Sequence, residues 1–531
     1  MSGPAEYDMS PLPAREIELK LELPQDDQRA VKLGATPKAF SNERSTSRIL
    51  HSIYFDTDTQ ALRRAGISLR VRKVGRDWVQ TAKIGTTLHN GLATPIEIET
   101  KVPGPTPRLD AIDNPKISSR IRTLLAEQDL HTAFETVMQR STRMLRGPDG
   151  SRIEVAFDTG DIRAGTTHAP LTELELELKS GSVETLFEVA KELVKARPFR
   201  FSPCSKAERG YRLAEGRTAS LPLPEQADTI KLSKSCSVED AFRAVLRSCY
   251  SQILQNRLAV LSSPDPEAAH QLRIGLRRLR SALDIFAPAF DAETTASISP
   301  LTSTSQSLAI CAGKLRDIDA LIEDIFAPLA TVGALEVDFA PLRTLLEKRR
   351  LAASTRLRAE LTTSQMNGFL FDLGALIEGT TELDKTAATG KTDGNQATAR
   401  RFAMKALDKR WTKVTKRAAA MHNMTTEERH ALRKALKKLR YTTEFFGSLF
   451  SKGDVKPFNK RLKQLQNMFG YMNDVAVLQR LTNDMDLEPG TPDIERALGF
   501  ALGWHQNQAG NMWQQTCDSW KALHKSGPFW R

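Results

Sequence analysis

Residues 15–23 read REIELKLEL, in which charged and apolar side chains alternate without a break. The charged side chains after Arg15 are Glu16, Glu18, Lys20 and Glu22. A period of two predicts a β-strand with one apolar face and one charged face. A charged face ordinarily lies on the solvated side of an antiparallel sheet. The alternative is a face that lines an interior and binds a charged ligand, and the remaining strands distinguish between the two.

Length and charge limit the classes of protein to which the chain can belong. With 531 residues it exceeds the size at which a single core keeps growing, so we expect two or three domains. The net charge of +12 favours an anionic partner, such as nucleic acid, an anionic membrane or polyphosphate. Residues 1–220 hold 33 basic and 30 acidic side chains, and residues 221–531 hold 43 and 34. Most of the positive surplus therefore lies in the second half.

The five cysteines are widely separated and form no C-x-x-C pair. They predict neither a zinc site nor a disulfide framework, which suits a reducing cytosol. The N-terminus has no apolar signal core, and no apolar run approaches the ~18 residues of a membrane span. We therefore expect a cytoplasmic protein that does not cross a membrane.

The first two hundred residues have the pattern of strands joined by turns, with helical periodicity at about 116–126 and 183–197. A polar, proline-containing linker follows, and beyond it the period becomes helical. The sequence thus predicts a multidomain α+β protein. Its parts are a strand domain at 14–213, a linker at 214–231 and an all-α domain at 232–531.

The helical half repeats itself with an offset of 160 residues. HQLRIGLRRLR at 270–280 matches HALRKALKKLR at 430–440. An acidic turn follows each copy, so that Asp317 in LRDID matches Asp474 in MNDVA. Two diverged copies of one helical unit are the simplest account. We place them at about 232–380 and 400–531, divided by a polar stretch at 380–400.

A near mirror of the opening stretch, ELELELKSG, occupies residues 173–181. Between the two lie other charged residues, most of them paired at i, i+2 on one side of a strand. They are Arg70 with Arg72, Glu97 with Glu99, and Glu154. Because unpaired buried ions are costly, a closed sheet with these charges inside is reasonable only if its interior binds a charged ligand. Carboxylates suit Mg²⁺ or Mn²⁺, while arginine and lysine suit phosphate oxygens.

Eight motifs follow one another in a fixed order. They are EIELK (16–20), YFDT (54–57), SLRVRK (68–73), TAKIG (81–85), IEIE (96–99), IEVAFDTG (153–160), ELELELKSG (173–181) and SKAERGYRL (205–213). In this order the chain resembles the CYTH, or triphosphate tunnel metalloenzyme, family over about residues 14–213. The resemblance implies an eight-stranded antiparallel β tunnel that hydrolyses, or occasionally cyclises, triphosphate compounds with a divalent metal, Mg²⁺ or Mn²⁺.

The resemblance also implies roles for individual residues. Those implied to contact the phosphate chain are Lys20, Arg70, Arg72, Lys83, Arg140 and Lys206, with Arg143 as the alternative to Arg140. Those implied to hold metal and the attacking water are Glu16, Glu18, Asp158, Glu175 and Glu177. Among them the catalytic residues would be Glu16, Glu18 and Lys20, and Glu97 would orient basic side chains.

One position departs from the family pattern. Pro95 stands in the neighbourhood where the family often has a basic residue. The corresponding phosphate contact is then either missing or supplied elsewhere, by Arg76 or His89. This departure bears on the preferred length of the substrate rather than on catalysis.

Each basic helix of the repeat carries one basic face. Its residues are His270, Arg273, Arg277 and Arg280 in the first copy and His430, Arg433, Lys437 and Arg440 in the second. Two solvated faces would give the same pattern, but the His-x-x-Arg order recurs and no acidic residue occurs within 270–280 or 430–440. The pattern resembles the CHAD domain over about 232–531, which implies a basic cavity that binds long-chain inorganic polyphosphate. Asp317 and Asp474 are expected to hold basic side chains or cap helices, and Arg278 and Lys438 to point elsewhere.

These observations predict a metal-dependent inorganic triphosphatase that acts on tripolyphosphate and carries a polyphosphate-binding domain. The alternatives are a non-catalytic polyphosphate-binding or granule-targeting protein and an adenylate cyclase of the same fold. No base pocket is visible for the latter. The basic helices have few interleaved aromatic residues, which argues against nucleic acid.

Overall fold

The structure, a computed structural model, describes residues 16–24, 27, 31, 36–85, 88–217, 221–289, 292–329, 337–379, 398–484 and 492–531. Its internal contacts divide the chain into two compact units. The first comprises Met1–Ser220 with Leu370–Gly379, and the second comprises Leu221–Phe369 with Thr380–Arg531. Most of the polar stretch expected to divide the helical half lies outside the described residues.

The described strands of the first unit form one antiparallel sheet. They are β1 (Ile17–Glu22), β2 (Ser41–Asp56), β3 (Ile67–Val74), β4 (Asp77–Ile84), β5 (Leu92–Ala93), β6 (Ile96–Val102), β7 (His131–Arg146), β8 (Arg152–Ala164), β9 (Thr167–Ser180) and β10 (Arg200–Phe201). The order across the sheet is β10-β1-β9-β8-β7-β2-β3-β4-β6, and β5 pairs with β1. Apart from the two-residue β5 and β10, the described sheet has eight strands, which is the number that the family resemblance implies, although β7 was not among the predicted strand segments.

The sheet curls because β5 and β6 are separated by only two residues yet pair with strands that lie far apart in the strand order. β5 pairs with β1, whereas β6 pairs with β4. The backbone N–H of Glu16 also donates a hydrogen bond to the Pro95 carbonyl between β5 and β6, at 3.2 Å. The result is the tunnel-like β domain of the predicted fold class.

The apolar faces of the strands lie on the outside of this curl. Leu69 and Val71 of β3, for example, are fully buried in one core with Ile117 and Ile121. The charged faces consequently line the inside, where Lys20 is only 6% exposed. The opening stretch therefore does not form a solvated outer face.

Four described helices flank the sheet. They are α1 (Ala61–Arg64), α2 (Pro115–Leu125), α3 (Val183–Val194) and α4 (Lys206–Ala214). Two of them confirm the helices predicted near 116–126 and 183–197. α4 begins at Ser205, whose side chain accepts a hydrogen bond from the N–H of Glu208. This cap fixes the start of α4 and hence the position of Lys206, which lines the tunnel.

The second unit is helical, as predicted. Its described helices are α5 (Val238–Ser262), α6 (Pro266–Phe286), α7 (Ala292–Ala320), α8 (Ala327–Leu329), α9 (Ala340–Glu360), α10 (Ser364–Glu378, which ends in the first unit), α11 (Ala399–Ala418), α12 (Thr426–Phe446), α13 (Lys452–Asp484) and α14 (Pro492–Ser526), with a π-helix at Leu321–Phe326.

The sequence repeat is reproduced by the helices themselves. α6 and α12 each have 21 residues and contact one another. Pro266 and Thr426, their first residues, are 160 positions apart, as are their last residues, Phe286 and Phe446. In each helix the repeated leucines are fully buried, which leaves the basic residues on the other side.

Candidate functional site

A cavity of about 210 Å³ lies inside the curled sheet. The predicted site residues that line it are Glu16, Glu18, Lys20, Arg70, Arg72, Lys83, Glu97, Arg140, Glu175, Glu177 and Lys206. Asp158 is 1% exposed and lies directly behind this lining, in contact with two of its cations. The structure thus brings together the charged residues that the sequence places on separate strands.

Lys20 is held by carboxylates on both sides. Its Nζ lies 2.9 Å from a carboxylate oxygen of Glu18 and 2.5 Å from one of Glu175. Burial alone would lower the pKa of Lys20, but the two carboxylates outweigh it and raise that pKa well above its usual value. The same ammonium, together with Lys83, outweighs burial at Glu18 and lowers the pKa of that carboxyl. Lys20 is therefore a fixed positive charge in the wall of the cavity.

Lys206 brings a second fixed charge from α4. Its Nζ lies 2.6 Å from Glu175, 2.5 Å from Glu173 and 2.9 Å from Asp158. Arg140 donates to both carboxylate oxygens of Asp158, at 2.7 and 2.5 Å. Burial would raise the pKa of Asp158, but Lys206 and Arg140 lower it to about 2. Asp158 is thus permanently ionised.

The structure also distinguishes Arg140 from Arg143. The two are three positions apart on β7, so their side chains leave opposite faces of the strand. Arg140 points into the cavity and contacts Glu175 as well as Asp158. Arg143 donates to the backbone carbonyl of Val31 at 3.0 Å and does not line the cavity. Arg140 is the tunnel residue.

On the opposite wall, Glu97 binds two cations. It accepts from Arg70 at 3.1 Å and contacts Lys83. Burial would raise the pKa of Glu97, but Arg70 and Lys83 lower it to about 2. Glu16 behaves differently, because burial and a hydrogen bond to Glu97 raise its pKa to about 8 despite Lys83. Glu16 can therefore gain or lose a proton near neutral pH.

Arg72 is set apart from these pairs. It donates to the hydroxyl of Ser52 at 2.8 Å but has no carboxylate partner among the described residues. Burial and the positive charges of Arg70 and Arg140 lower its pKa to about 9. An anion bound in the cavity would satisfy this guanidinium.

The carboxylates of the tunnel cavity are candidate ligands for a metal ion. Within the described ranges, no three His, Cys, Asp or Glu side chains form a preformed metal cluster. The donor chemistry nevertheless fits a hard cation such as Mg²⁺ or Mn²⁺, which prefers oxygen ligands. Burial raises the pKa of both Glu16 and Glu177, and a neighbouring carboxylate adds to each shift. A cation between these carboxylates would relieve that repulsion. Glu177 is also paired with Lys179 at 2.5 Å, as Asp158 and Glu175 are with lysine and arginine.

The cavity lining also contains residues that were not predicted to have a role in the site. Among them are Arg48, Tyr54, Ser68, Glu99 and Lys179. Neither Arg76 nor His89 lines the cavity, although Pro95 does. Arg48 lies six residues before Tyr54 on β2, so the period-two alternation of that strand carried the signal that would have placed Arg48 on the inner face.

A second cavity, of about 670 Å³, lies between helices of the second unit. The predicted basic residues that line it are Arg273, Arg277, Arg280, His430, Arg433 and Lys437. Lys314, Lys434 and Lys438 add charges that were not assigned to it. Lys438 was expected to point elsewhere, but it lines the cavity at 3.0 Å from Asp284.

Two predicted residues do not line this cavity. Arg440 donates instead to Glu444 at 2.7 Å, one turn along its own helix. His270 is partly buried beside the cavity, and burial together with Arg316 and Arg277 lowers its pKa to about 4. Arg278 points away, as expected, and donates to Gln252 at 2.8 Å.

The two acidic positions hold two of the arginines, although Asp317 and Asp474 lie within α7 and α13 and not in the turns that the sequence predicts. Asp317 accepts from Arg273 at 2.9 Å. In the second copy Arg433 donates to Asn473 at 3.0 Å, and Asn473 in turn donates to Asp474 at 3.3 Å. The expected positioning role is therefore direct in the first copy and passes through an asparagine in the second.

The cavity has more positive charge than its carboxylates can neutralise. Within the described part of the chain, the side chains of Arg277 and Lys437 make no hydrogen bond or ion pair with any other residue. Burial and the charges of Arg277 and Arg433 lower the pKa of Lys437 to about 5. Such an excess of unpaired cations is the electrostatic signature of an anion-binding site.

Two domain families match the chain, and curated relatives match it as well. The CYTH domain matches residues 14–211, and the CHAD domain matches residues 244–483. An inorganic triphosphatase from Haemophilus influenzae is 30% identical over 246 residues, which are 44% of this chain. The chain spans 65% of the length of that relative.

Solved structures resemble parts of the chain. The CHAD domain from the plant Ricinus communis is 26% identical with a TM-score of 0.47, and the match covers 57% of this chain and 96% of that one. PptA from Streptomyces chartreusis is 15% identical with a TM-score of 0.39, and covers 54% of this chain and 100% of that one. No described helix has the length and apolar character needed to cross a membrane.

Proposed function

Because the chain contains a CYTH domain and a CHAD domain, we propose that it is a metal-dependent inorganic triphosphatase that converts tripolyphosphate to pyrophosphate and phosphate. The observation that carries this proposal is the charged cavity of the first unit, in which lysine and arginine from opposite walls meet carboxylates. The 30% sequence identity with an inorganic triphosphatase over 246 residues supports the same activity. We propose domain limits of 14–213 and 232–531.

Substrate binding would use the cations of the tunnel wall. Phosphoryl transfer requires charge neutralisation and alignment more than a covalent nucleophile. Lys20 and Lys206 stay protonated in the folded chain and can hold phosphate oxygens at fixed points. Arg72 lacks a carboxylate partner among the described residues and can bind phosphate in bidentate fashion without first breaking an ion pair.

Glu16, Glu18 and Glu177 are the residues that would hold the metal, with Asp158 and Glu175 completing the set. A bound Mg²⁺ or Mn²⁺ supplies Lewis-acid neutralisation of charge on the phosphate. Glu16 and Glu18 would orient the attacking water and accept its proton. Glu97 keeps Arg70 and Lys83 oriented toward the cavity.

The second cavity would bind long-chain inorganic polyphosphate. Its unpaired cations suit a linear polyanion, and Tyr441 is the one aromatic side chain among its described lining residues. Nucleic acid would call for more aromatic surface on which bases can stack. All five cysteines are unpaired in the structure. In keeping with them we propose a cytoplasmic location, with association to polyphosphate granules.

The decisive experiment measures phosphate release from tripolyphosphate and from ATP, with Mg²⁺, Mn²⁺ or EDTA. The variant Glu16→Gln/Glu18→Gln tests the site, and Glu188→Gln, an exposed position on α3, is the matched control. Metal-dependent release that favours tripolyphosphate, lost in the double variant and kept in the control, would establish the triphosphatase.

The two alternatives give different products. An adenylate cyclase would release pyrophosphate and cyclic AMP from ATP. Tyr54 is the one aromatic side chain among the described lining residues of the tunnel, and because it is only 3% exposed it offers little ring surface for adenine. If neither phosphate nor cyclic AMP appears, the chain is a polyphosphate-binding protein without tunnel catalysis.

A further inference from the structure

Arg48 projects from the inner face of β2 and lines the tunnel cavity. In the register of the sheet it lies opposite Arg140 of β7. Ser52, further along the same face of β2, accepts from Arg72 of β3. Three arginines on three adjacent strands therefore face one stretch of the cavity wall.

Arg48 differs from the other lining cations in its partners. Lys20, Lys83, Lys179, Lys206, Arg70 and Arg140 each contact at least one carboxylate. The Arg48 side chain makes no hydrogen bond or ion pair with another residue in the described ranges. Arg140, directly opposite on β7, is already paired with Asp158 and Glu175. Of these two opposed guanidinium groups, Arg48 is the one that is left for a bound anion to satisfy.

Arg48 and Lys179 are the exposed cations of the lining, but Lys179 is paired with Glu177 at 2.5 Å. Lys20 and Lys206 are buried, and Arg70, Arg72 and Arg140 are half-buried. Arg48 is therefore the exposed lining cation that has no carboxylate partner among the described residues, and it lies at the solvent-facing end of the three-arginine stretch. An anionic group bound there would be the outer end of the substrate.

The chemistry of that outer end separates two substrate classes. The outer phosphate of tripolyphosphate is a terminal group with no ester and carries up to two negative charges. The corresponding phosphate of a nucleoside triphosphate is esterified to ribose and carries one. The guanidinium of an arginine offers paired N–H donors that match the oxygens of a terminal phosphate. It binds a phosphate esterified to ribose less strongly, because that phosphate carries less negative charge.

On the premise that the tunnel is a triphosphatase, we propose that Arg48 binds the outer terminal phosphate of tripolyphosphate and selects this substrate against nucleoside triphosphates. Arg48 is a specificity residue at the mouth of the tunnel. It acts beside the cations that hold the rest of the chain, and it takes no part in the chemistry.

The test compares kcat/KM for tripolyphosphate and for ATP in the wild-type chain and in three variants. Arg48→Ala is expected to lower the ratio of the two kcat/KM values about tenfold, and Arg48→Lys to retain most of that ratio. Arg44→Ala is the matched control, because Arg44 is an exposed arginine of the same strand outside the cavity lining. An unchanged ratio in Arg48→Ala, or equal losses on both substrates, would overturn the proposal.

A separate measurement covers failure of the triphosphatase itself. If the wild-type chain hydrolyses neither compound, tripolyphosphate binding is measured by calorimetry in the presence of EDTA. The full chain then carries Arg277→Ala/Lys437→Met, which removes two side chains of the second cavity that have no ionic partner among the described residues. Weaker binding after adding Arg48→Ala keeps Arg48 as an anion subsite without catalysis. Equal binding with and without Arg48 would refute that subsite too.

Discussion

The ammonium group of Lys20 lies 2.5 Å from a carboxylate oxygen of Glu175, across the β1–β9 pair, and both side chains are buried. Glu175 also meets Lys206 at 2.6 Å and contacts Arg140. One carboxylate therefore contacts three cations from three elements. Its pKa is well below the usual value because these cations outweigh the effect of burial.

Loss of Glu175 is expected to destabilise the first unit more than loss of Lys20. Glu175→Gln removes negative charge from three buried cations, and breaking a buried ion pair in this way costs about 3–5 kcal/mol. Lys20→Met leaves Glu175 with Lys206 and Arg140 and should cost clearly less. The free energy of unfolding from urea denaturation measures both. Glu188→Gln is the exposed control, and equal costs for the two buried variants would contradict the hub role of Glu175.

Gly210 sets the position of α4. A Cβ at this residue would lie 2.1 Å from the ring of Phe134, so any side chain forces the helix away from the sheet. Gly210→Ala should therefore destabilise by about 1–3 kcal/mol through overpacking. Because α4 carries Lys206 into the tunnel, we also expect a lower kcat for tripolyphosphate.

The control for that prediction is Gly104→Ala. An added Cβ at Gly104 meets nothing within 4 Å. This variant should match the wild-type chain in both thermal stability and phosphate release. Full activity of Gly210→Ala would mean that the position of α4 does not govern the site.

Much of the fold can be predicted from local periodicity. Whether a charged strand face points to water or to the interior of the sheet cannot. The alternation in REIELKLEL fixes β1, and the 160-residue repeat fixes α6 and α12 to the residue. Whether the charged face of β1 meets water or the tunnel depends on the partners of β5 and β6, which are contacts between distant parts of the chain.

The side chains of Arg440 and Lys438 lie elsewhere than expected relative to the second cavity, for a similar reason. Arg440 has the spacing of a cavity residue, but Glu444 lies one turn away and captures it. Lys438 has the spacing of an outward residue, yet it reaches Asp284 at the cavity wall. A long side chain can reach any of several nearby partners, and helical periodicity does not indicate which of them it contacts.

Lys437 illustrates a conflict between binding and stability in the second cavity. Its side chain has no ionic partner among the described residues, and burial and the charges of Arg277 and Arg433 lower its pKa to about 5, so that folding at neutral pH removes its proton. Lys437→Met removes the free-energy cost of this deprotonation and is expected to raise stability by about 1 kcal/mol. The same variant should weaken polyphosphate binding. Thermal unfolding and calorimetry measure the two effects.

The outcome that would contradict this trade-off is a destabilised variant with unchanged affinity. Lys409→Met on α11 is the matched control, because Lys409 lies on another helix and does not line the cavity. It should leave polyphosphate binding unchanged.

Polyphosphate binding should take up a proton at Lys437. Burial and the charges of Arg277, Arg433 and Arg273 lower its pKa from 10.5 to about 5, and Asp474 opposes them only in part. Between pH 5 and 10.5 the folded state thus binds fewer protons than the unfolded state at this residue. Its contribution to stability therefore falls as the pH is lowered through that window. A bound polyanion reverses the repulsion and returns the pKa toward its usual value.

Calorimetry of polyphosphate at pH 7, in buffers of different ionisation enthalpy, should show an uptake approaching one proton per site. Affinity should rise as the pH is lowered from 9 to 6. Lys437→Arg keeps the positive charge at every pH in this range, so it should retain binding and lose the proton uptake. Uptake that persists in Lys437→Arg would assign the proton to another group, with His430 as the next candidate because it lines the same cavity with a lowered pKa.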